Sequence, residues 1–423
     1  MSHPRPVVVL VDAYTSGKYL LPEFTALGAE VVHVQSTSEL MASMPEPDLS
    51  GYAARIVHDD LAKTVEQLLP YAPVRVLAGQ EPGVLLADAL SRELGLPMND
   101  PGRSEARRDK YEMIEALRDA GLHCADQFTS GDVEGIVDWL RQGRGFPVVV
   151  KPRRSAAGDS VFICAGEAQV RAAVEAVLGS ETIYGETNPQ VLVQSFLPGT
   201  EYVVDMVTHG GRRYVCGVWE YSKRLLPSGR NIYDRERLLD PGEAPVPELT
   251  AYVDRALDAL GVRFGPTHAE VILTPEGPAL VEVGCRIAGN MHPGFHDHCA
   301  GANQATLSAL EVLRPRDFLE RYAGRHYDKR YEAVCCTTST TLDGVVDHID
   351  EQVVAEIAGL DSVYRFDLKI APGGRIRPTV DLYSSTMRVF MSAGTMPDID
   401  RDYGRIEQLK DRVYRLRAEV GAR

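Results

Sequence analysis

Two glutamates and an arginine in the stretch Pro266–Asn290 are the residues whose types and spacing suggest chemistry. The pattern predicts two strands joined by a turn, because strand side chains alternate and Thr-Pro-Glu-Gly is typical of a turn. Glu270 and Glu282 would then lie on one face of adjacent antiparallel strands, with Arg286 shortly after the second strand. Two carboxylates in apolar strands favour a cation between them, and Mg²⁺ takes such carboxylates together with phosphate oxygens. A hairpin with a solvated acidic face is the alternative.

A lysine at the end of an apolar strand suggests a phosphate site. Residues Phe146–Lys151 read FPVVVK and are followed by a loop of small residues, Ser155–Gly158. Backbone N–H groups of such a loop can face a phosphate, and Lys151 would add a positive charge. The P-loop pattern GxxxxGK[ST] is absent, and an ordinary hairpin loop is the alternative.

Several histidines and cysteines lie next to Arg286 or shortly after it. Their spacing matches no standard structural zinc pattern, and a Pro-Gly pair interrupts them. We expect the histidines to line a substrate pocket, with packing and zinc binding as alternatives. The residues concerned are Cys285, His292, His296, His298 and Cys299.

The first hundred residues alternate apolar strand patterns with helical patterns, which predicts an open parallel sheet. Val7–Val11 and Val31–Val34 are β-branched runs typical of buried strands, with a helix predicted over Leu20–Leu27. The loop Asp12–Lys18 would lie at the carboxyl end of this sheet, where ligands bind, although a structural turn explains it equally well. It carries no GxGxxG pattern. A further helix is predicted from Ser104 to Ala120, with Lys110 as a solvated residue inside it.

The remaining chain alternates strands and helices in smaller units. A helix is predicted over Pro247–Leu260, a β-rich unit begins near residue 331, and a closing helix is predicted over Ile399–Arg415. The pattern predicts four parts, namely residues 1–103, 104–200, 201–330 and 331–423.

Composition narrows the class of protein. The 423 residues carry a net charge of −15, with 44% hydrophobic and 25% charged residues, which is typical of a globular protein with a sizeable core. The acidic balance argues against nucleic acid or an anionic membrane as the main partner. No window approaches the roughly 18 apolar residues of a membrane span, and we expect no signal peptide. Seven scattered cysteines indicate reduced thiols and a cytoplasmic location.

Three motifs in order resemble the ATP-grasp ligases, and within them the L-amino-acid ligases. These are VVVKPRRSAAGDS, VQSFLPGTEYVVD and HAEVI…LVEVGCRIAGN, and the resemblance covers roughly residues 5–400. It implies a mixed α/β and α+β fold with an N-terminal open parallel α/β domain, a central lid domain and a C-terminal α+β domain. It also implies ATP and Mg²⁺, or Mn²⁺ in its place, as cofactors.

The resemblance assigns roles to individual residues. The nucleotide phosphates would be held by Lys110, Lys151 and a lid loop containing Ser155, Ala156, Gly158 and Ser160. The segment Gln194–Leu197 would line the adenine, with backbone groups of Phe196 and Leu197 reading its edge, and Glu201 would bind the ribose. Glu270 and Glu282 would be metal ligands. The catalytic residues would be Arg286, Lys151 and His268. The residues in contact with the substrate would be Asn290, His292 and His296.

The chain departs from the family pattern at two positions. Gln194 stands where a glutamate often begins the adenine segment, and Gly284 stands where an asparagine often follows the second metal ligand. Water or His268 would take the place of that asparagine.

Joining a carboxylate to an amine requires activation, and phosphorylation by ATP gives an acyl phosphate that an amine attacks. Lysines, Mg²⁺ and an arginine suit that chemistry, because phosphoryl transfer depends on positioning and charge neutralisation. The sequence therefore predicts a ligase acting on small molecules, with amino acids as expected substrates and a homodimer allowed. The alternatives are an ATP-grasp enzyme with another acid or nucleophile, such as a carboxylase, and a silent nucleotide-binding module.

Overall fold

The computed structural model describes residues 5–41, 44, 46–156, 158–225 and 231–417. The chain forms two compact units. Unit 1 contains Met1–Val218, Pro241–His296 and Ala302–Tyr327, and unit 2 contains Trp219–Asp240, Asp297–Gly301 and Asp328–Arg423. The predicted division into four parts stays a prediction.

The strands are β1 Val7–Val11, β2 Glu30–Gln35, β3 Ala54–Val57, β4 Arg75–Ala78, β5 Gln127–Ser130, β6 Val148–Pro152, β7 Phe162–Cys164, β8 Val191–Ser195, β9 Thr200–His209, β10 Arg212–Leu225, β11 Asn231–Leu238, β12 Phe264–Thr274, β13 Gly277–Gly284, β14 Glu332–Thr337, β15 Gly344–Ile349, β16 Val363–Leu368, β17 Arg375–Ile376, β18 Met387–Ala393 and β19 Tyr414–Leu416. The helices are α1 Leu20–Ala26, α2 Leu61–Leu68, α3 Val84–Glu93, α4 Lys110–Asp119, α5 Val133–Arg141, α6 Glu167–Val177, α7 Pro245–Ala259, α8 Pro293–Ala300, α9 Gln304–Leu313, α10 Pro315–Arg321, α11 Glu351–Ala358 and α12 Met396–Leu409.

Unit 1 begins with the predicted parallel sheet, in the strand order β3-β2-β1-β4. Every residue of β1 is buried, as the continuous β-branched run indicates. The backbones of the loops after β1 and β4 lie in contact, and two glycines make this possible. A Cβ on Gly79 would lie 2.4 Å from Cα of Ala13, and a Cβ on Gly17 would lie 2.6 Å from O of Gly79. This contact fixes the position of the residues that follow Gly79.

A second sheet in unit 1 has the antiparallel order β5-β8-β6-β7. Its apolar face packs against α5 and α6 through residues such as Ile136, Val150 and Val174. The buried strand β6 carries Lys151 near its end. The apolar pattern FPVVVK therefore predicted this strand correctly, although it begins at Val148.

The predicted hairpin is formed by β12 and β13, and β9 pairs with the other edge of β12. Glu270 lies directly opposite Glu282 in the antiparallel register, so their side chains lie on the same face. The register shifts between Glu270 and Val271, where a bulge lets the strand bend. The prediction that the two carboxylates lie together is confirmed.

The helix predicted from Ser104 to Ala120 is wrong at its start. It begins at Lys110, because the side chain of Asp109 accepts hydrogen bonds from the backbone N–H groups of Tyr111 and Glu112. Such a side chain fixes a helix N-terminus. The segment before Asp109 forms 3₁₀ turns.

In unit 2, the second half of β10 pairs with β11, and β11, β14, β18 and β16 continue the antiparallel order. A smaller sheet, β17-β15-β19, shares an apolar core with α11 and α12. The closing helix predicted to reach Arg415 ends at Leu409, and the chain then forms β19. Pairing of β19 with β15 outweighs the helical pattern of the sequence.

Candidate active site

The two opposed carboxylates are largely shielded from water. The side chains of Glu270 and Glu282 are 19% and 14% exposed. Oε2 of Glu282 lies 2.6 Å from Nζ of Lys110. Burial would raise the pKa of Glu282, but the charge and hydrogen bond of Lys110, with Lys151 and Arg286, hold it below its ordinary value. The alternative interpretation, a hairpin with a solvated acidic face, is therefore wrong.

Two lysines from different elements face these carboxylates. Lys110, the first residue of α4, is buried and donates a hydrogen bond to the backbone O of Ser155 at 2.5 Å. Lys151 on β6 is 5% exposed. Burial and the charge of Lys110 lower the pKa of Lys151 to about 8, against the opposing charges of Glu282, Glu270 and Glu201. Lys110 is thus no solvated lysine, and cations and carboxylates neutralise one another at this site.

Asp109 joins the two lysine-bearing elements. Besides capping α4, its carboxylate accepts from Nε of Arg153 at 3.0 Å and from Nε of Arg154 at 3.3 Å. The backbone N–H of Lys110 donates to O of Arg153 at 3.0 Å. Sequence reasoning missed Asp109 because the helix start was placed too early; an aspartate preceding a helical pattern is the signal that would have found it.

The small-residue loop after β6 is organised by a second residue that sequence reasoning missed. The carboxylate of Asp159 accepts hydrogen bonds from Oγ of Ser155 at 2.6 Å and Oγ of Ser160 at 3.0 Å. Gly158 and Ser160 have φ values of +76° and +54°, and O of Ala156 accepts from N of Asp159. Ala157 in this loop lies outside the described residues. The two hydroxyls thus donate within the loop, while the backbone O of Ser155 accepts from Nζ of Lys110.

The segment predicted to line the adenine begins at a buried glutamine. Nε2 of Gln194 donates to Oε1 of Gln127 at 3.0 Å. Phe196 is exposed, its backbone N–H donates to O of Pro147 at 3.3 Å, and Leu197 is half-buried. Glu201 is buried on β9, close enough to Lys151 to influence its charge. The roles of these residues in nucleotide binding stay predictions.

Arg286 is buried beside the carboxylate of Glu81, which lies in the 3₁₀ turn after β4. Its Nε lies 3.1 Å from Oε2 of Glu81, but the N–H is not directed at that oxygen, so the contact is an ion pair. Burial would lower the pKa of Arg286, but Glu81, Tyr184, Glu282 and Glu270 raise it. A Cβ on Gly284 would lie 2.8 Å from Oε2 of Glu81. The glycine at the position where the family often has asparagine thus leaves room for Glu81.

His268 lies between two carboxylates. Its Nδ1 is 2.8 Å from Oδ1 of Asp205, and its Nε2 is 3.7 Å from Oε1 of Glu270. Burial would lower the pKa of His268, but Asp205 and the nearby carboxylate of Glu270 raise it to about 10. The surroundings favour a positive charge on the imidazole, and its catalytic role stays a prediction.

The predicted substrate residues lie around the start of α8. Asn290 is half-buried, and Nδ1 of His296 is 3.0 Å from the backbone O of His292. The ring of His292 lies edge-on to Tyr19, at 5.6 Å between centroids. Tyr19 follows the loop after β1, which therefore approaches the predicted substrate residues. Within the described ranges, no group of three or more His, Cys, Asp or Glu side chains is arranged to hold a metal ion.

The donor set suits a nucleotide with a divalent cation. Two adjacent carboxylates supply hard oxygen ligands, and Mg²⁺ completes its shell with phosphate oxygens and water rather than with a full protein cage. The lysines and the donors of the Ser155–Ser160 loop suit phosphates.

Among the residues that the structure describes, no helix is long and apolar enough to cross a membrane.

Comparison with known proteins identifies the family. A profile of the ATP-grasp domain matches residues 144–293. The chain is 35% identical over 386 residues to dapdiamide A synthase from Enterobacter agglomerans, covering 90% of each chain. Its fold is similar to that of L-amino acid ligase from Bacillus licheniformis, with a TM-score of 0.77 and 17% identity over 99% of this chain and 100% of that one. It is also similar to an ADP complex of N5-carboxyaminoimidazole ribonucleotide synthetase, with a TM-score of 0.70 and 14% identity over 97% and 98% of the two chains.

Of the residues around the opposed carboxylates, Lys151 and Arg286 lie within the matched range 144–293, as do Glu270 and Glu282 themselves. The similarity to the synthase extends over nearly the whole chain. The chain therefore belongs to the ATP-grasp family and is an ATP-dependent carboxylate–amine ligase that forms a C–N bond.

Proposed function

We propose that this ligase joins the carboxylate of one amino acid, or a closely related acid, to the amine of a second amino acid. The observation that carries this proposal is the convergence of Lys110, Lys151, Glu270, Glu282 and Arg286 on one shielded site. The names of two similar proteins, dapdiamide A synthase and L-amino acid ligase, support amino-acid substrates.

The proposed reaction has two steps. An oxygen of the acid attacks the γ-phosphorus of ATP, the bond to ADP breaks, and an acyl phosphate forms. The amine then attacks the acyl carbon, loses a proton, and expels inorganic phosphate as the amide forms. Lys110 and Lys151 would hold the phosphates, while the Arg286 fork would bind oxygens of the transferred group and then of the tetrahedral intermediate. Glu270 and Glu282 would hold Mg²⁺, which neutralises phosphate charge when bound.

Water must be kept from the acyl phosphate, since hydrolysis would waste it. The shielding of Lys151 and Arg286 supports that requirement. The Ser155–Ser160 loop, bound to Lys110 through O of Ser155, would close over the phosphates as a lid.

The test is ADP release measured across a matrix of amino-acid pairs, with products identified by mass spectrometry. We expect ADP and phosphate to appear in equal amounts only when an acid and an amine are both present, together with the mass of a dipeptide. ADP release that requires bicarbonate instead of a second amino acid would contradict the proposal and indicate a carboxylase.

Three further assignments are part of this proposal. The four-part division of the chain and a cytoplasmic location are proposed, the latter supported by the adjacent free thiols of Cys335 and Cys336. A homodimer is proposed as the assembly, and light scattering at micromolar concentration would test it by giving twice the mass of one chain.

A further inference from the structure

Arg108 is a buried cation with few partners beside the active site. It precedes Lys110 by two residues, just before α4, and it is 3% exposed. Within the described part of the chain, its Nη2 is buried without a hydrogen-bond partner. Its one ion contact there is to Oε1 of Glu186 at 3.7 Å, which is longer than a hydrogen bond. The side chain of Glu186 is itself 45% exposed.

The neighbouring arginine has fold partners for both of its terminal nitrogens, although its Nε, within the described residues, is buried without a hydrogen-bond partner. Arg107 is fully buried, but its Nη2 donates to Oδ2 of Asp88 at 2.7 Å and its Nη1 donates to O of Leu260 at 2.9 Å. Burying a guanidinium without such bonds is costly. The poor pairing of Arg108 therefore indicates that a ligand, rather than the fold, supplies its partner.

The surroundings of Arg108 place it near the reacting groups. Its Cζ lies 5.3 Å from the ring centroid of Tyr184, and Tyr184 in turn interacts electrostatically with Arg286. The turn that carries Tyr184 is tied to the lid loop, since the backbone N–H of Ile183 donates to Oδ2 of Asp159 at 3.2 Å. An anion bound at Arg108 would thus lie at the edge of the site that contains Arg286.

We propose that Arg108 binds the α-carboxylate of the amino acid that supplies the amine. This inference rests on the proposed function, in which the second substrate is an amino acid. The phosphates already have Lys110, Lys151 and Arg286, so a further cation suits a different anion. A carboxylate is the one charge that distinguishes an α-amino acid from a simple amine. A guanidinium binds it through two parallel hydrogen bonds, and the incoming carboxylate would displace Glu186.

The experiment compares two amine substrates in steady-state ADP release: L-alanine and L-alaninamide, or the same pair made from the best acceptor of the matrix. We expect Arg108→Gln to raise KM for the amino acid about 10- to 100-fold, the range for a lost hydrogen bond to a charged group. KM for the carboxamide should stay unchanged, because it has no carboxylate. Glu186→Gln should lower KM for the amino acid severalfold, because a competing anion is removed.

Calorimetric ATP binding separates this role from a nucleotide role. We expect the Kd for ATP to be unchanged in Arg108→Gln. A weaker ATP complex, or an equal rise in KM for both amines, would overturn the proposal. If Arg108→Gln does not fold, Arg108→Lys provides the same comparison, together with Glu186→Gln at a half-exposed position. An unchanged KM for the amino acid in both variants would overturn the proposal.

Failure of the proposed function is seen separately, in the wild-type enzyme. Wild-type protein that releases ADP with no amino-acid acceptor would overturn both proposals. Wild-type activity with amino acids, combined with unaltered acceptor selectivity in the Arg108 variants, would overturn only the carboxylate site.

Discussion

At the scale of single residues, the active site is a balance of opposite charges removed from water. The cost of shielding Glu282 from water is offset in part by Lys110, 2.6 Å away, and the burial of Lys151 is opposed by the charges of Glu282, Glu270 and Glu201. Removing the charge of one residue in such a set leaves the charges of its partners buried and uncompensated. The charges that we propose to bind the substrates therefore also hold one another in place before the substrates arrive.

Glu282→Gln should lower kcat by about 100-fold or more, because an amide is a poor ligand for Mg²⁺ and leaves Lys110 without its anionic partner. Glu270→Gln should act in the same direction. The matched control is Glu276→Gln, an exposed residue in the turn of the same hairpin, which should keep wild-type activity. Circular dichroism checks that the fold persists. Near-normal ADP release from both strand variants with Mg²⁺ present would show that the metal assignment is wrong.

Arg286→Lys should lose most of kcat while ATP still binds. A lysine keeps the positive charge but lacks the planar fork that binds two oxygens at once, and it would not reach Glu81 in the same geometry. Calorimetry of ATP binding together with single-turnover ADP formation measures the two effects separately. Wild-type kcat in this variant would exclude a catalytic role for Arg286.

At the scale of secondary structure, one capping residue helps to join the elements that carry Lys110 and Lys151, the two lysines proposed to bind phosphates. Asp109 begins α4 at Lys110 and clamps Arg153 and Arg154, which follow β6 and Lys151. Together with the hydrogen bond from the backbone N–H of Lys110 to O of Arg153, this carboxylate ties the start of the helix to the residues that follow the strand.

Asp109→Ala should cost about 1 kcal/mol in stability through the lost cap, with a further loss because Arg153 and Arg154 lose their anionic partner, and should also raise KM for ATP severalfold. The matched control is Asp350→Ala, because Asp350 caps α11 and also binds an arginine, Arg415, far from the lysines in sequence. Both variants should lose stability in urea, but only Asp109→Ala should change KM for ATP. Equal ATP kinetics in the two variants would mean that Asp109 has a purely structural role.

Local patterns predicted much of this fold, and contacts between distant segments explain what they missed. The β-branched run Val7–Val11 and the pairing of Glu270 with Glu282 follow from the alternation of side chains along a strand. Glu81 could not be connected to Arg286, because their contact depends on how the N-terminal sheet packs. The end of α12 at Leu409 was missed for a related reason, since β19 gains its stability by pairing with β15.

At the scale of the whole molecule, a buried histidine makes stability depend on pH. His33 on β2 packs between the rings of Tyr14 and Tyr52, and its Nε2 accepts a hydrogen bond from the backbone N–H of Ala13 at 3.3 Å. Burial, with a smaller contribution from Arg55, lowers the pKa of His33 from 6.5 to about 4. The folded state therefore keeps this imidazole neutral in mildly acidic solution.

Between pH 6.5 and 4 the unfolded chain binds a proton at His33 that the folded chain does not bind. The free energy of unfolding should therefore fall as pH falls through this window, by at most about 1.4 kcal/mol per pH unit from this residue. His33→Gln should flatten that slope, whatever it does to stability at pH 7. The comparison variant is His348→Gln, whose side chain is 64% exposed. Urea unfolding of the three proteins at half-unit steps from pH 4 to 7 measures how the free energy of unfolding depends on pH. The three proteins have the same carboxylates. If the slope of His33→Gln equals that of the wild type, residues other than His33 cause the loss of stability in acid.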